Sequence, residues 1–286
     1  MSRRSCFTPC LFLLPYLLVF ISFRLGPSLA GLGVSFSTWH IIGTPKWVGL
    51  ENYKTLLHDR LFWTALKNTL YFLLLSAPAQ VFVALAIALL LNQKLRGRQI
   101  ARTIVFAPYA VMSTVVGVIW NWMYDSNFGL INDWLVRLNL PRIQWLTSEH
   151  TAMPAIAIAT LWWLMGFNVV LFLAGLQDIP EELYEAARVD GAGGWQIFSR
   201  ITWPLLLPTT FVVVMLTIIN AFQVFDQVYV MTGGGPGTAT LTLVQYLYVQ
   251  GFEHFNLGYA SAIGVIVFLI LIGFAWLQFR IVRREV

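Results

Sequence analysis

The sequence predicts an all-α integral membrane protein of about six transmembrane helices, and three observations predict it. Of 286 residues, 58% are hydrophobic and only 11% are charged, too few ionisable side chains to clothe a soluble domain. The apolar residues gather in blocks of roughly 20, the length of a helix that crosses a ~30 Å hydrocarbon core. The basic residues, which leave a net charge of +5, sit in short polar stretches between these blocks and form no single patch. That distribution argues against a nucleic-acid partner and for a role in setting membrane topology. No stretch is polar and long enough for a soluble domain, so residues 1–286 are predicted to form a single transmembrane domain.

The first block runs from Phe7 to Phe36, interrupted by Pro15, Arg24 and Pro27. Arg3 and Arg4 ahead of it, and Ser28-Leu29-Ala30 within it, resemble the ends of a signal peptide. The block is longer than a signal core, which favours an uncleaved anchor. Cys6 and Cys10 have no metal-binding spacing with histidine and read as small apolar side chains. An arginine at mid-span costs about 2.5–3.5 kcal/mol on insertion scales. Arg24 therefore either faces a cavity and an anionic group or snorkels toward an interface.

The second block spans Thr64 to Leu91, the third Thr103 to Tyr124, the fourth Met153 to Leu176, the fifth Leu205 to Val230 and the sixth Leu257 to Phe279. Placing the N-terminus in the cytoplasm puts Arg3, Arg4, Lys94, Arg96, Arg98, Arg102, Arg188, Arg200, Arg280, Arg283 and Arg284 inside. Lys46, Lys54, Arg60, Lys67, Arg137 and Arg142 are left outside. The short-loop bias makes both termini cytoplasmic. Two outer segments carry structure of their own. Asn127 to His150 mixes Trp134, Leu135, Leu138 and Trp145 with polar residues as an interfacial helix does, and Thr240 to Phe252 does the same. The run Gly233-Gly234-Gly235-Pro236-Gly237 lacks the Gly-Lys-Ser/Thr ending of a phosphate loop, so no ATP site of that kind is expected.

The cytoplasmic stretch Gln177 to Pro204 is the most informative. Asp178 is a candidate N-cap, Pro180 falls in the first turn, and Glu181 and Glu182 suit the positive end of a helix dipole. Ile179, Leu183, Ala186 and Ala187 then share a face at helical spacing. Gly191 is placed to end the helix because it tolerates positive φ. A second short helix with Trp195, Phe198 and Ile201 on one side is expected before Pro204 leads into the fifth span. Alanines at 186 and 187 would let a partner approach the backbone closely, with Glu185 beside them. Two readings fit this pattern: a docking knob for a cytoplasmic protein, or a helix lying on lipid headgroups.

Glu185-Ala186-Ala187, three residues, Gly191, nine residues, then Ile201 and Pro204 resemble the EAA motif of ABC-importer permeases, with Trp203 where that family has Leu. Glu185 to Ala192 reads EAARVDGA, and with Phe198, Pro204 and Pro208 it resembles the carbohydrate-uptake branch, the maltose and glycerol-3-phosphate type. Trp47 to Tyr53, Asn68-Thr69-Leu70, Phe225-Asp226 through Pro236, and Gly258 to Ala262 resemble further stretches of the family, and the glycine run resembles its first permease subunit. The resemblance implies a permease whose loop residues Glu185, Ala186, Ala187, Asp190 and Gly191 couple it to an ATPase. It also implies a second permease subunit, two ATP-binding subunits that carry the ATP and Mg, and an extracytoplasmic solute-binding protein. No cofactor is expected in this chain, and the setting implied is a bacterial or archaeal cytoplasmic membrane.

Polar residues inside spans are costly and face a cavity or the bundle interior. Asn220, Gln223 and Asp226 recur every three residues, on a broad helical face. With Asn121 and Asn168, and with Trp163 and Phe222 as aromatic faces, they are the candidates to line a sugar path. The alternative role is hydrogen bonding that holds the helices together. A secondary transporter would be expected to bury acid–base pairs at mid-depth, and none can be placed here. His40, His58, His150 and His254 are scattered, with no metal-binding or catalytic spacing, so no enzyme is expected.

Overall fold

The computed structural model describes residues 7–40, 43–93 and 96–282. Arg3, Arg4, Cys6, Lys94, Arg283, Arg284 and the side chain of Cys10, on which parts of the topology and cysteine readings rest, lie outside the described residues. The elements in order are α1 (Phe7–Phe20), a π-helical turn (Ile21–Leu25), α2 (Gly26–Val34), β1 (Ser37–Thr38), β2 (Lys46–Trp47), α3 (Glu51–His58) and α4 (Arg60–Asn92). Next come α5 (Arg98–Phe106), a 3-10 turn (Ala107–Ala110), α6 (Ser113–Met123), α7 (Leu130–Arg137), α8 (Ala152–Gln177) and α9 (Glu181–Val189). The chain continues with α10 (Gly194–Ile197), a second π-helical turn (Phe198–Thr202), α11 (Trp203–Phe222), α12 (Asp226–Met231), α13 (Leu243–Tyr248), a third π-helical turn (Val249–Glu253) and α14 (Leu257–Val282).

Among the described residues, 5 helices are long and apolar enough to cross a membrane: Phe12–Val34, Arg60–Asn92, Ala152–Gln177, Gly194–Phe222 and Leu257–Arg280. A broken pair, Arg98–Ala110 and Ser113–Met123, bent by 100°, brings the number to six when it is counted as one span. Three expectations change. The third span is not one straight helix. The fifth span starts at Gly194 and stops at Phe222, because α10, the π-helical turn and α11 run on without a break. There is accordingly no separate second loop helix: Trp195, Phe198 and Ile201 lie on the extended start of the fifth helix.

The chain divides into two compact units, Met1–Phe62 with Tyr246–Leu269, and Trp63–Gln245 with Ile270–Val286. In the first, two of the resembling stretches meet. The Asn52 amide donates to the Ser35 and Ser37 carbonyls at 2.8 and 2.9 Å. Gly258 packs so closely on the Ser37 carbonyl that a Cβ would stand 1.9 Å from its oxygen. Asp59 accepts hydrogen bonds from the Tyr246 and Tyr259 hydroxyls and from the Leu61 N–H. Burial pushes the Asp59 carboxyl up, but these hydrogen bonds outweigh it and hold the group below its ordinary value. Arg24, on the first π-helical turn, lines an apolar groove of about 700 Å³ with Phe20, Ser28, Leu32, Ser261 and Phe268.

The second unit packs through small residues. Inside a membrane, helices gain little hydrophobic drive by meeting, so close van der Waals approach has to hold them. A Cβ on Gly166 of α8 would lie 2.4 Å from the Val105 carbonyl oxygen of α5, and one on Gly117 of α6 would lie 3.0 Å from Val230 of α12. Two apolar clusters result. One joins Phe72, Trp120, Tyr124, Met153, Ile156 and Phe222. The other joins Ala84, Ala88, Phe172, Leu176, Ile179 and Leu206.

Candidate functional site

The loop between the fourth and fifth spans, after α8, is built from its backbone outward. α8 ends at Gln177, with Asp178 as its C-cap, so Asp178 does not cap α9. The N-cap of α9 is Pro180, whose fixed φ of −58° and extended ψ of 131° turn the chain into the new helix. Glu181 and Glu182 occupy its first turn and Arg188 its last, each on the side the helix dipole favours.

Its end is a Schellman motif. The Ala192 N–H donates to the Ala187 carbonyl at 2.9 Å and the Gly191 N–H to the Arg188 carbonyl at 3.1 Å. Gly191 takes the left-handed conformation this requires, φ +78°, with open space around its missing Cβ. The next helix is started by the Gln196 side-chain oxygen, which accepts from the Gly193 N–H at 2.9 Å.

Two side chains seat α9. The Tyr184 hydroxyl is 3.2 Å from that of Thr202, and Tyr184 packs with Ile201 and Trp203 on the cluster of Leu176, Ile179 and Leu206. Ala187 is buried against the bundle, whereas Leu183, Glu185 and Ala186 are exposed. The expected shared face of Ile179, Leu183, Ala186 and Ala187 is therefore split, because Ile179 precedes the helix and Leu183 points away from the cluster. Ala187 lets α9 approach its own bundle, and Ala186 stays exposed. Val189, 87% exposed, and Trp195, 76% exposed, stand on either side of the Gly191 turn. Together with Glu185 and Asp190 they make a mixed apolar and acidic projection beside a groove of about 860 Å³ lined by Asn92, Arg98, Asp178, Glu181 and Arg188.

The polar candidates within the spans separate into two groups. Asn168 is buried and donates to the Gln80 side-chain oxygen at 3.3 Å, a bond between α8 and α4. Phe222 is wholly buried, its ring 5.3 Å from that of Phe274. Trp163 donates its indole N–H to the Val111 carbonyl at 3.0 Å, closing the bend of the third span. These three build the bundle, the structural role weighed against a lining role. Asn121, Asn220 and Gln223 are exposed. The regular helical face through Asn220, Gln223 and Asp226 does not exist, since α11 stops at Phe222 and Gln223 is its C-cap. Asp226 opens α12 and accepts a hydrogen bond from Ser113 of α6. Asn121 points its amide at the Val230 and Met231 carbonyls from 3.4 and 3.5 Å.

Sequence reading missed Ser113, Tyr184, Thr202 and Val189. Tyr184 lies three residues before Ala187 on the face that seats α9, a periodic signal that was available. Ser113 carried none of its own, although Pro108, in the 3-10 turn ahead of it, is a break signal in the sequence.

Comparison with known proteins bears on this arrangement. Residues 80–285 match the family described as "Binding-protein-dependent transport system inner membrane component". The chain is 36% identical to "Probable ABC transporter permease protein YurN" of Bacillus subtilis (strain 168), over 98% of this chain and 97% of the relative. It is 37% identical to "Trehalose/maltose transport system permease protein MalF" of Thermococcus litoralis, over 96% and 92% of the two chains. Its fold is similar to that in the crystal structure of a bacterial ABC transporter involved in the import of the acidic polysaccharide alginate. That match has a TM-score of 0.85 and 26% identity and covers 98% of this chain and 96% of the other.

Proposed function

From the premise that this chain belongs to the family of binding-protein-dependent transport system inner membrane components, we propose the solute, the partners and the coupling residues of the importer it serves. The chain is the permease subunit of an ABC importer and not an ion-coupled secondary transporter. It is a multi-pass membrane protein and carries no catalytic site of its own. The solute is a sugar or a related polyol or sugar derivative, as the printed names of its relatives suggest. A second homologous permease completes the path, and an extracytoplasmic binding protein delivers the solute. Two separate ATP-binding subunits supply ATP, Mg and hydrolysis. Both termini lie in the cytoplasm, the side on which the Gln177–Pro204 loop meets the ATPase.

The observation that carries this reading is the projection at α9. A helix seated by Tyr184 and Ala187 and ended by Gly191 at positive φ holds Glu185, Ala186, Val189 and Trp195 out in fixed geometry. An apolar, acidic, rigid knob outside the bilayer is shaped to be covered by another protein. When ATP closes the ATPase dimer, the knob moves with it and shifts the membrane helices between inward-open and outward-open populations. Such a shift requires the ATPase to bind the two states differently. Asn121, Asn220 and Gln223 supply amide donors and acceptors to a polyhydroxylated solute on its way through. Asp226 orients α12 through Ser113.

The test is to tag the chain, extract it gently from native membranes and identify what copurifies. A P-loop ATPase and a second six-span permease are expected. The ATPase should be lost, and the second permease kept, when Glu185→Gln and Gly191→Val are combined. Recovery of the chain alone, even after crosslinking, would overturn the proposal.

A further inference from the structure

We infer that α7 is a membrane-surface helix, whose stripe of Leu130, Trp134 and Leu138 is immersed in the interfacial layer of the bilayer. The site is a lipid surface, and it stands apart from both the coupling loop and the solute path.

The argument begins with how α7 is held. The third span ends at Met123, and Tyr124 caps it. Only a tight turn separates that end from α7: a Cβ on Gly129 would lie 2.4 Å from the Asp125 carbonyl oxygen. The buried Asn132 side chain then ties the helix down. Its amide donates to the carbonyls of Asp125 and Ile143 at 3.2 and 3.0 Å, and its oxygen accepts from the Ile143 N–H at 3.0 Å. Arg142 closes the same loop through the Ser126 and Asn127 carbonyls. The Trp145 ring packs on Tyr124 with centroids 5.2 Å apart. α7 is therefore fixed beside the end of the third span.

The helix divides into three sectors, with the exposed Val136 standing alone between Asn132 and the charged ridge. At about 3.6 residues per turn, Ile131, Asn132 and Leu135 fall together on the side turned to the protein. Asp133 and Arg137 fall on another, where they pair at 2.9 Å. Between those sectors run Leu130, Trp134 and Leu138, one above the next at successive fourth positions. Trp134 is 59% and Leu138 65% exposed. Protein, apolar stripe and charged ridge follow one another around the circumference, as suits a helix with protein on one flank, lipid on the next and water on the third.

The occupant follows from this placement. Val115, Ile119 and Trp122, on the preceding span, make an exposed apolar exterior up to the turn that carries α7. The stripe therefore continues, along the chain, the apolar exterior of that span. Tryptophan between leucines at a span end is the composition of the interfacial belt, where an amphipathic ring finds both phases.

The test uses the full chain with the subunits that accompany it, with Cys6→Ser and Cys10→Ser and single cysteines introduced by Trp134→Cys, Leu138→Cys or Arg137→Cys. Each is nitroxide-labelled and placed in vesicles of phosphatidylethanolamine and phosphatidylglycerol. Collision rates with oxygen and with a water-soluble nickel chelate are read by electron paramagnetic resonance. At 134 and 138 oxygen access should exceed nickel access several-fold, and at 137 the order should reverse. Nickel access at 138 equal to that at 137 would overturn the inference by placing the stripe in water. Low access to both reagents at 134 and 138 would overturn it by placing the stripe under a protein subunit. The ATPase need not be present for any of these readings, so failure here is separate from failure of the importer proposal.

Discussion

The chain breaks off a helix at Val189 and again at Phe222, and the two breaks are made by different means. At the first, everything needed is local: Gly191 at φ +78° and two hydrogen bonds back into the last turn of α9. At the second there is no glycine and no helix-ending motif. Gln223 caps α11, Val224 is buried, and Phe225 lies outside the helical region with φ −138° and ψ −61°. Distant groups hold that break, Thr242 donating to the Val224 carbonyl at 3.1 Å and Ser113 donating to Asp226. A locally specified break holds its turn through its own dihedral angle and hydrogen bonds. A break held by tertiary contacts can respond when α6 moves.

The largest effect that would break this contrast is expected at Asp226. Asp226→Ala leaves Ser113 without its charged partner, a change of about 1.5–3 kcal/mol for such a hydrogen bond. It should lower the thermal midpoint of the purified complex and reduce transport while leaving ATPase copurification intact. Loss of the ATPase in this variant would show that the two breaks are not independent. Next comes Gly191→Val. A side chain in the left-handed region costs about 1–2 kcal/mol, or roughly a tenfold loss of ATPase association, read by titrating the ATPase onto the purified permease. Membrane insertion should not change, since a Cβ at 191 meets open space.

Asn168→Leu and Asn220→Leu sharpen the comparison further. The first removes a buried hydrogen bond worth about 1 kcal/mol and should lower stability with little change in solute affinity. The second should reduce solute-stimulated ATP hydrolysis with stability unchanged. A reversal of the two would move Asn168 into the path.

The smallest effect is in the first unit. The Asp59 carboxyl titrates below its ordinary value in the folded protein. Its stabilising contribution is therefore full above the unfolded value of about 3.9 and is lost as pH falls through the lowered folded value. Thermal melts between pH 3 and 7, a range chosen to bracket roughly that value, should show an acid-side decline that is absent in Asp59→Asn. An identical decline in the variant would remove Asp59 as its source. The Tyr246 hydroxyl, pushed up by burial and then by the Asp59 carboxylate, stays protonated throughout and continues to donate.

Much of the fold was legible because membrane insertion writes length and polarity directly into sequence, and the helix of the Gln177–Pro204 loop was legible because Gly191 encodes its own dihedral angle. The bend of the third span was not. Its unpaired carbonyl at Val111 is answered by Trp163 of another helix, and no local signal records that. The path candidates show the same limit. Asn168 and Asn220 are the same residue type in equally apolar surroundings of sequence, and only the position of Gln80 distinguishes a strut from a free amide. Ala187 was read as open to a partner because side-chain size says a surface comes close without saying which surface. Asn52, Asn68 and Gly258 stood in stretches recognised by resemblance alone. The structure supplies their physical roles: Asn52 and Gly258 lock Ser35 to Ser37, and Asn68 donates to the Thr238 and Leu241 carbonyls at 2.7 and 3.0 Å.

The 100° bend between Arg98–Ala110 and Ser113–Met123 bears on how the chain is made. Each half is shorter than the roughly 20 residues a helix needs to cross hydrocarbon, so the corner must be held by packing against other helices. The groups that complete the corner, Gly166 against the Val105 carbonyl and Trp163 on that of Val111, belong to α8 and are translated later. The corner should therefore take its final form only once the fourth span has been made. A ribosome stalled between residues 124 and 151 would carry a chain whose third span still lacks the groups that close its bend.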